Sequence, residues 1–275
     1  MHLERIQFLS SEFEIRTNSR ELLDRVCCLA PRVQQEFSIL HGCRISIDWT
    51  GEDFRISNSD GDEDYELSST AVIERLFKHM HRLALANLPD HTRLRAVTVN
   101  QAGQAFLIVG PKCSGKTTLA VSLLLAGYDV CGDELALLQD GHAIAFPRRF
   151  LVRGDCVELL PQLKSYQEFV DSASHPARET LIAVDPTGLG KPWRLIPLEV
   201  SAFFLLEPNY GARTSIQPSG KLEMLRHIIP QCTPPASNRA NWIGDMSCTV
   251  DNTRTFTLRL GELNSAVLAI KEILE

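Results

Sequence analysis

Gly110, Pro111, Lys112, Cys113, Ser114, Gly115, Lys116, Thr117 and Thr118 follow one another with the residue types and spacing of a phosphate-binding loop. The chemistry is specific to those types. Glycines let consecutive backbone N–H groups turn inward on phosphate oxygens, Lys116 adds a mobile positive charge, and the Thr117 hydroxyl can ligate Mg²⁺. A glycine turn before an ordinary helix is the competing reading. The apolar run Ala105 to Val109 before the loop and the apolar stretch after it favour nucleotide binding. Cys113 reads first as an incidental small residue on the loop; its place among converging N–H groups, where a thiolate is favoured, makes a redox sensor the alternative.

Asp133 and Glu134 stand 17 and 18 positions past Lys116. Phosphoryl transfer needs a carboxylate for the metal and a second group to orient or deprotonate the acceptor, and an adjacent pair supplies both. A turn closed by Asp133 would explain the same residues without chemistry.

The elements that must place these groups are legible from local pattern. A strand over Leu94 to Asn100, a turn at Gly103 and a strand over Ala105 to Val109 lead into the loop. An apolar helix over Thr118 to Leu125 stops at Gly127, and Leu135 to Leu138 resumes as a strand. Upstream, residues 1–90 read as an α+β region separate from a domain over 91–275. Arg44 to Trp49 and Phe54 to Ile56 alternate as strands, with an acidic turn over 57–64 after them. Ser68, Ser69 and Thr70 cap a helix from Ala71 to about Asn87. His79 and His81 on that helix have no partners at metal spacing and read as packing or surface residues. Downstream, Leu195 to Glu207 reads as a core strand, Arg254 to Leu260 as a strand and Glu262 to Leu274 as a closing helix.

Composition bounds the function classes. The chain has 275 residues, 44% hydrophobic and 23% charged, with a formal net charge of −6. That balance fits a globular protein and argues against nucleic acid or an anionic membrane as the main partner. The N-terminus lacks the basic-then-apolar order of a signal peptide and no apolar run approaches membrane length, so a cytoplasmic location is the default. The eight cysteines show no C-x-x-C pair and read as reduced thiols.

The hairpin, phosphate loop, single helix ending at Gly127 and tight Gly132-Asp133-Glu134 together resemble the C-terminal domain of the HPr serine kinase/phosphorylase family and its kinase-like relatives. Ala145 to Arg149 and the strand over 195–207 add to the likeness, which covers roughly residues 90–230. The resemblance implies an α/β fold, an HPr kinase/PEP carboxykinase-like P-loop domain with a mixed sheet, preceded here by the small α+β N-terminal region. It implies an ATP- and Mg²⁺-dependent kinase acting on a serine hydroxyl of a peptide or protein, with Asp133 as base, Glu134 helping Thr117 hold the metal, and Lys116 on the transferred phosphoryl. Relatives often carry a histidine where this chain has Arg95. A permanent cation there implies one-way transfer rather than phosphorolysis. Arg148, Arg149 and Arg153 read equally as phosphate contacts or surface charges. The loop from Asp185 to Arg194 reads as a lid whose Lys191 or Arg194 reaches the phosphates, or as a plain connection. Relatives commonly form closed assemblies, which leaves a homo-oligomer open. A nucleotide-binding regulatory or assembly module without transfer, or a small-molecule kinase, would share the loop but not the role of Asp133.

Overall fold

The chain begins with a hairpin that turns without a glycine. β1 (His2–Phe8) and β2 (Ser11–Thr17) pair antiparallel, and the two-residue turn holds Leu9 at φ 53°. α1 (Arg20–Leu29) comes next, with the Ser19 hydroxyl accepting from the Leu22 N–H at 3.2 Å to cap its first turn. β3 (His41–Trp49), β4 (Phe54–Asn58) and α2 (Ser69–Ala86) complete this part. β3 runs parallel to β2, giving one four-stranded sheet in the order β1-β2-β3-β4. Strand period decides the core: Ile6, Phe8, Phe13, Ile15, Ile45 and Ile47 share the face covered by α1 and α2. These details come from a computed structural model that describes residues 1–30, 38–58, 69–165, 169–171, 180–191, 193–237 and 239–274. Most of the expected acidic turn, from residue 59 on, and the expected cap at Ser68 lie outside the described residues.

From residue 92 the chain runs through β5 (Thr92–Leu94), β6 (Ala96–Gln101), β7 (Gln104–Val109), α3 (Lys116–Leu125), β8 (Asp129–Gly132), β9 (Ala136–Gln139) and β10 (His142–Ala145). It continues through β11 (Phe150–Arg153), β12 (Phe169–Asp171), β13 (Thr180–Val184), β14 (Leu198–Pro208), β15 (Ser215–Pro218), α4 (Lys221–Ile228), β16 (Cys232–Thr233), α5 (Trp242–Asp251), β17 (Arg254–Leu260) and α6 (Leu263–Leu274). Ten of these strands form one mixed sheet, while β11, β13 and β12 form a small second one. The fold is mixed α/β.

The expected continuous strand over 94–100 is instead two strands that break at Arg95. Its backbone N–H leaves the ladder to donate to the Gln231 carbonyl at 3.2 Å, so β5 pairs with β9 while β6 pairs with β7 and β8. The hairpin between β6 and β7 turns at Ala102 and Gly103, both at positive φ, 52° and 85°, as a tight primed turn demands. Gly127, at φ 97°, ends α3 as the sequence pattern predicts.

β7 and β14 lie side by side and parallel at the middle of the large sheet, and β17 runs parallel to β14 on its other edge. Both faces of β7 are covered, which is why its sequence is apolar without alternation. Phe106 and Ile108 pack with α3, α6 and the small sheet; Ala105, Leu107 and Val109 pack with α4 and α5. No helix among the described residues is long and apolar enough to cross a membrane.

The N-terminal core runs on into the rest through Leu137, Phe146 and Leu195; Phe8 stacks on Phe146, ring centroids 5.6 Å apart and planes 6° apart, with His81 edge-on to both rings. Phe8 is fully buried, so Phe8→Ala should lower unfolding free energy by about 3–5 kcal/mol. Urea unfolding measures it; a loss under about 1 kcal/mol would show that the stack does not join the two parts.

Candidate functional site

Gly110 begins the loop where β7 passes closest to β14. A Cβ there would lie 2.8 Å from the Leu206 carbonyl oxygen, so only glycine lets the strands stay paired as the chain turns away. Cys113 and Gly115 follow at φ 63° and 91°. Such left-handed residues swing successive N–H groups toward a common point. Gly115 is the N-cap of α3 and provides no side-chain acceptor, so the helix N-terminus remains available to an anion. Ser114 is buried and its hydroxyl has no partner among the described residues. Lys116 folds back over the loop, its Nζ donating to the carbonyls of Gly110 and Pro111 at 2.8 Å each. Burial lowers its pKa and so does Arg95 nearby; Glu134 and Asp133 oppose the shift. Pro111, Lys112 and Cys113 are exposed, and the Thr118 hydroxyl turns toward the Cys156 thiol at 3.6 Å.

The carboxylate pair lies in the turn between β8 and β9. Gly132 makes the placement possible, because a Cβ there would lie 3.1 Å from that of Ala145 and 3.4 Å from the Phe146 carbonyl oxygen. Asp133 is 5% exposed, and neither of its carboxylate oxygens has a hydrogen-bond partner of regular geometry among the described residues. The Thr117 hydroxyl lies beside them. Burial raises the Asp133 carboxyl to about 6, and Glu134 adds to the rise, while Arg148 and Thr117 hold it down. Glu134 is tied to Arg148 by an ion pair of 2.5 Å. The side chain points toward the phosphate loop, with the Thr117 hydroxyl and its own N–H as the donors beside it.

Lys116, Thr117, Asp133, Glu134, Arg95 and Arg148 are thus brought together. Four other cations are not. Arg149, read equally as a phosphate contact or a surface charge, is neither: it is 1% exposed, and its Nε donates to the Ala30 carbonyl at 3.0 Å and meets the Asp185 carboxylate at 3.3 Å. Adjacent residues on an extended chain point oppositely, so Arg148 reaches the site and Arg149 binds the two halves of the molecule. Lys191 donates to the Gly127 carbonyl at 2.7 Å, at the far end of α3, about 15 Å of helix away from the loop. Arg194 pairs with Asp129 at 2.6 Å at that same end. The loop carrying them is not poised as a lid. Asp185 pins it by accepting from the Thr187 N–H, the Thr187 hydroxyl and the Trp193 indole at 2.9, 2.6 and 3.2 Å. Arg153 pairs with Asp155 at the surface, 2.8 Å apart.

Two residues at the loop carry no signal in the sequence. Gln231 accepts from the Gly110 N–H through its side chain at 3.3 Å and from Arg95 through its backbone. Tyr210, 63% exposed, places its hydroxyl 3.0 Å from where a Gly115 Cβ would lie. Neither belongs to a local motif, so distance along the chain hid both. Among the described residues no group of three or more histidine, cysteine or acidic side chains forms a metal cluster.

No protein-family model matches the chain, and no curated protein does. Among solved structures, the Hpr(Ser) kinase/phosphatase from Coxiella burnetii is similar at a TM-score of 0.29 and 10% identity, over 66% of this chain and 95% of that one. The likeness is distant.

Asp133 makes stability depend on pH. Its folded pKa of about 6 lies above the ordinary 3.8, so the folded state favours the protonated acid. That contribution is full below about pH 4 and is lost as pH rises through 6, a change of about 3 kcal/mol at most. Asp133→Asn should therefore be more stable than the parent at pH 8, with the gain shrinking toward pH 4. Urea unfolding at both pH values measures this; an equal or larger gain at pH 4 would show that Asp133 is not strained by its burial.

Proposed function

We propose that the protein is an ATP-dependent kinase that moves the terminal phosphoryl group to a hydroxyl, with a serine of a peptide or protein as the acceptor. The observation that carries this reading is Asp133: a buried carboxylate with no hydrogen bond of regular geometry among the described residues, facing a phosphate cradle. A structural turn has no use for such a residue, since burying an unpaired acid costs free energy. A base does, because a carboxyl near 6 is ionised at pH 7 and still basic enough to take a proton.

The chain's own groups divide the work. The N–H groups of 113–117 hold the phosphate chain at the start of α3. Lys116 exchanges its bonds to the Gly110 and Pro111 carbonyls for the transferred phosphoryl oxygens. Arg95 and Arg148 add guanidinium groups whose forked N–H donors suit phosphate oxygens. Asp133 orients the acceptor hydroxyl and takes its proton as the O–P bond forms. The Thr117 hydroxyl and the neighbouring carboxylates are hard oxygen donors, and the orphaned oxygens of Asp133 fit a pocket built for more than the protein supplies. Thr117 and Glu134 would hold Mg²⁺, which would neutralise charge on the phosphates.

Two substitutions separate binding from transfer. With γ-labelled ATP, Mg²⁺ and a mixture of serine-containing peptides, Asp133→Asn should bind ATP as the parent does and lose transfer by roughly 10²- to 10⁴-fold. Lys116→Ala should weaken ATP binding itself. Label transfer by Asp133→Asn at the parental rate would sink the assignment of the base.

A further inference from the structure

The phosphate loop has two sides, and the proposed transfer uses one. Lys116, Arg95, Asp133, Glu134 and Arg148 gather where Lys116 folds toward Gly110 and Pro111. On the other side the Thr118 hydroxyl meets Cys156, in the turn Gly154–Glu158. Tyr210 stands beside that turn: its hydroxyl approaches Gly115, and the Cys156 and Cys113 thiols lie near enough to act on its ionisation. Tyr210 thus stands at the Gly115 end of the loop, where α3 begins, while Asp133 stands beside Thr117.

Topology makes the placement firm. β7, β14 and β17 are parallel, so the segments after them emerge at the same edge of the sheet: the phosphate loop, the turn carrying Tyr210, and Gly261. That edge, at the carboxyl ends of parallel strands, is where open α/β sheets bind ligands. The turn over 209–214 is braced. The Asn209 N–H donates to the Leu260 carbonyl at 2.8 Å, and the Ala212 N–H to that of Asn209 at 3.1 Å. Thr214 bonds the Glu262 carbonyl at 2.9 Å and accepts from the Gly261 N–H at 3.1 Å. Gly261 is needed for this fit, since any Cβ there would run into the Ala212 carbonyl. An aromatic ring held on a rigid turn, yet 63% exposed, offers a flat face to a ligand in the cradle.

Resting on the kinase reading for which end of the nucleotide lies where, we infer that Tyr210 is the nucleobase platform of this site, stacking its ring on the base of the bound nucleoside triphosphate. Stacking accepts any base, because every base presents a π-face. The site should therefore take ATP and GTP through Tyr210 alike, and the ring rather than the hydroxyl should carry the affinity.

Competition against a fluorescent ATP analogue tests this without requiring turnover. Tyr210→Ala should weaken ATP and GTP by similar factors, roughly ten- to a hundredfold, and leave the affinity for inorganic tripolyphosphate unchanged. Tyr210→Phe should bind all three as the parent does. Parental affinity of Tyr210→Ala for ATP would overturn the inference, and so would an equal loss for tripolyphosphate or a loss in Tyr210→Phe matching that in Tyr210→Ala. Failure of the kinase reading looks different: the Tyr210 series would behave as stated while no acceptor gained label. A parent protein that bound no nucleotide would overturn both.

Discussion

The parallel pairing of β7 with β14 is the constraint on which the rest of the molecule depends. Two parallel strands cannot be joined by a tight turn, so the chain between them must cross over, and it does so through α3, further strands of the large sheet and the small one. Because both strands end at one edge, the phosphate loop and the Tyr210 turn emerge together. The close approach of Gly110 to the Leu206 carbonyl is the point where pairing ends and the cradle begins. A methyl group at that position would have to push the strands apart or move the loop.

A second device ties the N-terminal part to the site. Between Ala145 and Phe150 the chain presents Phe146 to Phe8 and His81, Arg148 to Glu134, and Arg149 to Ala30 and Asp185. His81, held among aromatic rings, is pushed down to about 3 by burial, with the Arg148 charge adding to the effect, so it stays neutral. Residues before 90 thus meet the segment that carries Arg148 through aromatic packing and through the Arg149 hydrogen bond to Ala30. A charge at His81 would repel Arg148, and the apolar setting prevents it.

Asp133 shows the conflict between folding and chemistry most directly. Desolvation penalises its charged form, and the fold gives it no hydrogen bond of regular geometry in return. The same burial that weakens the folded state raises the basicity of the group, while Arg148 and Lys116 keep the charged form within reach. Such a residue makes sense beside a ligand that brings its own charge, and Arg148 and Lys116 are already present to share that ligand.

What the sequence by itself determined is what depends on near neighbours. The phosphate loop, the apolar strand before it, the helix stop at Gly127 and the strand over 254–260 are all local patterns of residue type and period. The pairing of Asp133 with that loop was legible for the same reason: one short helix separates them. Tertiary structure decided which way each cation faces. Arg148 and Arg149 are neighbours with equal charge, yet one meets Glu134 and the other is buried against Ala30 and Asp185. Lys191 and Arg194 sit in a loop whose composition suits a lid, and the Asp185 bonds hold it at the far end of α3. The β1–β2 hairpin stayed hidden because its turn uses Leu9 where a glycine would have announced it. Gln231 and Tyr210 reach the loop only because sheet order carries them there, and strand order is set by how faces are buried over long separations, which no local pattern records.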